Sequence, residues 1–533
     1  MIYKKSGSYN SLDEYIQAIT GKTIRGLNRF KTSYQIKNLE KVAYRINKAV
    51  MDRQNIFVYG DYDTDGITSV SEMGILLNAK GARFQVYCPR RFSDGYGINI
   101  NTIKMVPDGA LLITVDNGIA ALDALREAAK RNIEVIILDH HMAVKVDETH
   151  IALPKASIIV DPEALPDGCD WDGYCGAGLV CELAKIMLTP GSIPLEHIKA
   201  LAAIGTVADV VPLLSANRKI VKEGLDNLNS GIMPMGLKAL VEKIAITSNI
   251  CGPLNSEHLG YYISPCCNAA GRMVDNGAIG VVATILADNL KTANNYSTQL
   301  LNWNRERKSI TQDAVSTVEL DENDQVNFVT GTIPAGCLGL VASKLVEMNG
   351  RPSFVMAKDK NGIYKGSARS NSPLNNIKHM LDECSDYMLG YGGHAEAAGF
   401  SFHESNFEKI HSILSACHLE EIDITPTYDL DILPEHVPAM MTDLDSVGIF
   451  GKGCEKPLFR MKVNMVPDDI VTMKDVHLRF KLPGNITGVY FNSAERYKND
   501  GCPTSLYLYG YLQWNYFKNT QSPQLLIQDY EVA

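Results

Sequence analysis

Between residues 34 and 161 the apolar positions switch repeatedly between two periods. In YQIKNLEKVAYRINKAVMD they fall three and four apart, as on a helix, and the NIFVYG that follows is a short β-rich run. A helix expected at 67–79, the run RFQVYC, then ALLITVD, the amphipathic IAALDALREAAKRN, and finally IEVIILD and ASIIVD continue the series. Strands that alternate with helices require right-handed crossovers, which makes the fold class α/β with a mostly parallel sheet. A polar arm, 1–45, precedes this domain, which is taken as 46–283. Residues 284–322 keep a helical pattern without Pro or Gly and predict a long connecting helix that sets a cleft. Alternation resumes over 323–418 as a smaller α/β domain. Over 419–533 the runs PLFRMKVNMV, DVHLRFKL, ITGVYFN and TSLYLYGYLQWNYF, separated by Pro, Gly, Asn and Asp, predict a small β-barrel.

Composition narrows the class. A chain of 533 residues is too long for one core, and 45% apolar with 21% charged residues is ordinary for a globular protein. No run approaches the roughly 20 apolar residues of a membrane span, and the N-terminal stretch is too polar for a signal peptide, so a cytoplasmic protein is expected. The 12 cysteines contain no C-x-x-C pair, and buried free thiols are the expectation. A net charge of −10 argues against a surface coated for duplex DNA. It is compatible with a carboxylate cluster that binds metal and with a narrow basic channel.

The chemistry is concentrated at the ends of the predicted strands. GDYDTDGITSVSE fits the calcium-loop pattern at Asp61, Asp63, Asp65, Gly66 and Glu72. A calcium hand, however, needs a helix entering its loop, whereas a β-rich run precedes Gly60, and position 8 is Thr68 rather than a large aliphatic residue. Asp116 closes LLITVD, Asp139, His140 and His141 follow VIIL, and Asp161 closes SIIVD. In open parallel sheets ligands collect beyond the carboxyl ends of the strands. Asp116 and Asp161 are each also open to reading as caps of a following helix. Oxygen ligands with an imidazole favour Mn²⁺, with Mg²⁺ second. Two such ions about 3.5–4 Å apart would relieve repulsion among the carboxylates and activate a water against a phosphodiester.

GDYDTDG, VDNGI, LDHH and GTVADVVPL resemble, in order and character, the four metal-site motifs of the DHH phosphoesterase superfamily. NAAGRM at 268–273, KGSARS at 365–370 and GYGGHAEAAGF at 390–400 resemble motifs of its RecJ-type exonucleases. The resemblance implies a parallel-sheet DHH domain, a DHH-associated domain and a C-terminal OB fold. It implies metal ligands at Asp63, Asp65, Asp116, His140 and Asp209, with Asp61 either a further ligand or an acceptor behind them. Asp65, Asp116, His140, His141 and Arg272 are the implied catalytic group. His141, Arg272, Ser367, Arg369, Ser370, Gly392, Gly393 and His394 are implied contacts to the nucleotide, and the Ala-rich run after His394 is expected to open a helix. Tyr490, Phe491, Tyr507, Tyr509 and Trp514 are candidates for base stacking or for the barrel core.

The implied activity is Mn²⁺-dependent hydrolysis of single-stranded DNA from the 5′ end, releasing mononucleotides in DNA repair or recombination. The polarity comes from the resemblance alone. Single-stranded DNA is the implied partner, with a single-strand-binding protein or a helicase as candidate protein partners, no membrane, and a monomer. The alternatives are a DHH phosphodiesterase of short oligonucleotides or cyclic dinucleotides, and a catalytically silent replication-associated binding protein. The barrel disfavours the former, and the filled acidic and histidine positions disfavour the latter.

Overall fold

A computed structural model describes residues 3–95, 97–147, 150–420, 425–517 and 520–533. The first domain is built on a parallel sheet of β1 (Asn55–Tyr59), β2 (Arg83–Tyr87), β3 (Leu111–Val115), β4 (Glu134–Leu138) and β5 (Ile158–Val160), in the order β2-β1-β3-β4-β5. Side chains alternate across it. Ile56, Val58, Leu111, Ile113 and Val115 enter the larger core on one face, while Phe57, Tyr59 and Leu112 enter a smaller core on the other. The larger core is covered by α1 (Thr64–Ala79), α2 (Gly176–Met187) and α3 (Ile193–Ala208), which are buried over most of their surface.

The long connecting helix, α4 (Leu290–Thr317), is shorter than the pattern predicts. Residues Gly277–Ile285 form a separate helix, and the Asn289 side chain accepts from the Thr292 N–H at 2.8 Å, starting α4 anew.

The second domain carries a five-stranded sheet whose edge hairpin is Met388–Gly393 and Ala397–His403. The Ala-rich run after His394 therefore enters a strand and not a helix. Ala398, Phe400 and Phe402 are buried at every second position, and this period-two burial overrides alanine's helix preference.

The C-terminal domain is a seven-stranded mixed sheet with its own core. The N-terminal residues join it. Lys4–Lys5 pair with Thr427–Tyr428, Tyr3 stacks on Tyr509 at 3.9 Å, and Leu12, Tyr15, Ile16 and Leu27 sit in the barrel core. Tyr509 is thus a core residue, closed to base stacking. No helix among the described residues is long and apolar enough to cross a membrane.

Candidate active site

The carboxyl edge of the sheet converges on one acidic pocket. Asp63 is the N-cap of α1, accepting from Gly66 N–H at 3.0 Å. A Cβ on Gly66 would lie 2.6 Å from the Asp61 backbone N, so only glycine lets the helix start this close to the loop that carries Asp61. Both oxygens of Asp65 accept backbone N–H groups at the start of α2, from Gly176 at 2.7 Å and Ala177 at 2.9 Å. Asp116 stands in the left-handed region at φ 58°, which Asp tolerates better than most residues. This turns its side chain to His140, whose Nε2 lies 3.0 Å from Asp116 Oδ1.

His140 Nε2 is also 3.7 Å from carboxylate oxygens of Asp65 and Asp209. Asp209 caps the C-terminus of α3. That helix approaches closely because a Cβ on Gly205 would lie 2.4 Å from Thr68 Oγ1.

In three overlapping sets, Asp116–His140–His141, Asp65–His140–Asp209 and Asp61–Asp63–Asp116, ligand atoms lie within 4.8 Å of one another. Every residue of the implied metal set is brought together. Asp161 is not. It accepts from Ala164 N–H at 2.9 Å within a turn, with no helix directly after it, and the helix that follows Asp116 has its N-cap at Ala121, so neither Asp is the cap of a following helix.

Burial, reinforced by Asp63, pushes the Asp61 carboxyl up to about 8. Burial, then Asp65 and Asp63, does the same to Asp209, also to about 8. Burial raises Asp116 well above its ordinary value, with Asp65 adding to it. Such a pocket favours protons or cations over bare charge, and its oxygen-plus-imidazole donor set suits Mn²⁺ or Mg²⁺. Burial lowers His140, which keeps its imidazole neutral as a ligand must be.

Asp139 has a separate task. Its Oδ1 accepts the His140 N–H at 2.8 Å and lies 2.7 Å from His141 Nδ1, and its Oδ2 accepts the Ile119 N–H at 2.9 Å. Burial works against the charged form of His141, yet the hydrogen bond and charge of Asp139, with the charges of Asp209 and Asp61, together outweigh it and lift His141 to about 9. His141 is therefore an imidazolium at neutral pH. Sequence reasoning noted Asp139 at the strand end without giving it this function.

Beside the acidic pocket lies a cationic one. Asn268 Oδ1 accepts Thr64 N–H at 2.9 Å, docking the NAAGR helix (Ser264–Met273) on the segment that carries Asp61, Asp63 and Asp65. Arg272, further along that helix, donates from Nη1 to Gly336 O at 3.0 Å, just before the helix Leu338–Asn349. Arg369 donates to Ser367 Oγ at 2.9 Å, and both lie so near Gly339 that a Cβ there would be 2.8 Å from the Arg369 guanidinium. Burial, then the charges of Arg91 and Arg307, push Arg272 down to about 10, so it remains charged at neutral pH. Burial, then Arg91, also lowers Arg369. Cations that depress one another beside a helix start form a place for an anion.

Arg91 lies 4.4 Å over the ring of Tyr62, between Asp61 and Asp63, and so joins the two pockets. It too escaped the sequence reading. The signal is in RRFSDG, a basic stretch just after β2 at the same edge of the sheet as the carboxylates.

Ser370 turns into its own loop, donating to Ser372 O at 3.0 Å. Gly392 pairs with Gly399, which pairs with Ser367, so the glycine strand with Gly393 and His394 lies at the sheet edge, two strands from Ser367. In the barrel, Phe491 is exposed, Arg460 and Lys462 lie 5.1 and 5.2 Å over Tyr507, Tyr490 is half-buried, and Trp514 Nε1 donates to Asp445 at 3.0 Å.

A parallel sheet ending in a carboxylate–imidazole pocket, followed by a second α/β domain and a barrel, defines a DHH-type phosphoesterase architecture. Residues 55–206 match the DHH family N-terminal domain, 323–418 the DHHA1 domain and 428–529 the RecJ OB domain. The single-stranded-DNA-specific exonuclease RecJ of Bacillus subtilis is 31% identical over 95% of this chain, which spans 64% of that relative's length. The Thermus thermophilus RecJ structure in complex with Mn²⁺ superposes with a TM-score of 0.78 at 26% identity, over 93% of this chain and 72% of that one. A crystal structure of an exonuclease RecJ bound to manganese is 30% identical with a TM-score of 0.62, over 72% of this chain and 94% of that one. The chain belongs to the RecJ family.

Proposed function

We propose that the protein is a metal-dependent exonuclease that hydrolyses single-stranded DNA from the 5′ end and releases mononucleotides, in DNA repair or recombination. Mn²⁺ is the preferred ion and Mg²⁺ the second. The observation that carries this reading is the meeting of the acidic and cationic pockets at Tyr62 and Arg91, which sets an anion grip beside the metal ligands. Asp61, Asp63, Asp65, Asp116, His140 and Asp209 would hold two divalent ions, which when bound lower the pKa of water and offset charge on the phosphate.

The protein's own groups do the rest. His141, held protonated by Asp139, donates to the scissile phosphate. Arg272 steadies that phosphate, and Arg91, Ser367 and Arg369 take the terminal one, so cutting is confined to an end. Phe491 and Tyr507 with its two cations suit a strand laid along the barrel. The working unit is a cytoplasmic monomer on single-stranded DNA, with a single-strand-binding protein or a helicase as the partner classes.

The test supplies purified protein with 5′- and 3′-labelled single strands, matched duplex and a linear dinucleotide, in Mn²⁺, Mg²⁺ or chelator. Metal-dependent loss of the 5′ label from single strands is expected. Preference for the dinucleotide would favour a small-substrate phosphodiesterase, and release from the 3′ end would overturn the polarity.

A further inference from the structure

Among the described residues, Arg218, on the helix Ser215–Asn229 of the first domain, is one of the bulkiest fully buried side chains. Burial lowers its pKa, but a guanidinium stays charged in any protein interior and all its N–H groups need acceptors. Among its hydrogen bonds no carboxylate supplies them. Nη1 donates to Ile449 O at 2.8 Å, Nη2 donates to Val447 O, and Nε donates to Asn28 Oδ1 at 3.1 Å.

Val447 ends the barrel-domain helix Val437–Val447, and Gly448 follows at φ 77°. The last carbonyls of a helix lack partners within it and carry the negative end of its dipole. Arg218 thus caps, from the nuclease domain, a helix of the C-terminal domain. Asn28 closes the same junction from the N-terminal arm, its Nδ2 donating to Ser446 O at 2.7 Å.

The junction is stitched again on either side. Leu213 N–H donates to Lys452 O at 2.8 Å, four residues past the ligand Asp209, and Ser256 Oγ donates to Phe450 O at 2.6 Å. The segment 446–452 is therefore gripped on the nuclease side, close to the metal pocket.

We propose that Arg218 is a positioning residue that registers the C-terminal domain on the nuclease domain, so that a strand held by the barrel enters the metal pocket without a break. The proposal rests on the single-strand exonuclease reading. It separates two properties that a merely structural residue would move together. Hydrolysis of a dinucleotide needs only the first two domains, whereas capture of a long strand needs the barrel in register.

The experiment compares wild type with Arg218→Met on a long 5′-phosphorylated single strand and on a linear dinucleotide, in Mn²⁺. KM for the long strand is expected to rise about tenfold or more, with kcat and dinucleotide hydrolysis near wild type, the pattern of lost uniform binding. Equal loss on both substrates, or no change on either, would overturn the proposal. Should Arg218→Met not fold, Asn28→Ala decides. It removes one acceptor and the Ser446 contact, and it should raise the long-strand KM in the same direction by a smaller factor; an unchanged ratio of the two substrates sinks the idea. Wild type inactive on all strands would instead remove the exonuclease reading, a result distinct from either.

Discussion

Stripping metal from the pocket and raising the pH should loosen the first domain, and the size of the effect follows from its buried acids. Asp61 and Asp209 are raised from 3.8 to about 8 in the folded protein. Between about pH 5.5 and 7.5 each is protonated when folded and ionised when unfolded, so the native state binds more protons and stability falls as pH rises. Each extra proton costs about 1.4 kcal/mol per pH unit. His140, lowered by burial, works in the opposite direction as its unfolded form loses its proton, and His141, raised to about 9, offsets that contribution. With one to two net protons over two pH units, the loss is about 3–6 kcal/mol, or on the order of 10 °C in Tm for a unit of ~200 residues.

Mn²⁺ should reverse the trend, since it competes with those protons. At ~100 times its Kd an ion adds about 2.7 kcal/mol, and the affinity grows as the ligands deprotonate. Urea unfolding followed by tryptophan fluorescence, in chelator and in Mn²⁺ at both pH values, measures all the quantities. A chelated protein whose stability is flat or rising from pH 5.5 to 7.5 would refute the reasoning.

Asp139→Asn should leave the fold in place but lower kcat by ~10–100-fold, the usual cost of losing the group that orients a metal-site histidine. The basic limb of its pH–rate profile should move down from about 9 toward that of an ordinary imidazole; an unchanged profile would remove Asp139 from the mechanism. Arg91→Ala should raise KM about tenfold for 5′-phosphorylated strands and shrink the preference over 5′-hydroxyl ends, read by label release; an undiminished preference would contradict the proposed grip. Glu72→Leu should stabilise the protein by about 1–3 kcal/mol at pH 7.5, because both carboxyl oxygens of Glu72 are buried without a hydrogen-bond partner and burial, then Asp65, raises its pKa well above the ordinary value. Thermal denaturation that shows a lower Tm for this variant would count against it.

The alternation of periods was enough to determine the parallel sheet, because side chains pointing to two buried faces must recur every second residue, as Phe57 and Val58 do on opposite sides of β1. It also placed Asp61, Asp63, Asp65, Asp116 and His140 at one edge, since parallel strands all end on the same side. Contacts between segments far apart in the chain were beyond its reach. Asp209 lies on a helix, and only the close packing at Gly205 carries it to the pocket. The run after His394 has helical composition, and strand pairing with 363–369 made it extended. Arg218 is an ordinary residue by local pattern, and the strand-end positions of Arg91 and Asp139 do not say which ring or imidazole they meet. What each does depends on which ring, imidazole or helix end lies against it, and that is decided by packing, where burial leaves every polar group dependent on the partner the fold supplies.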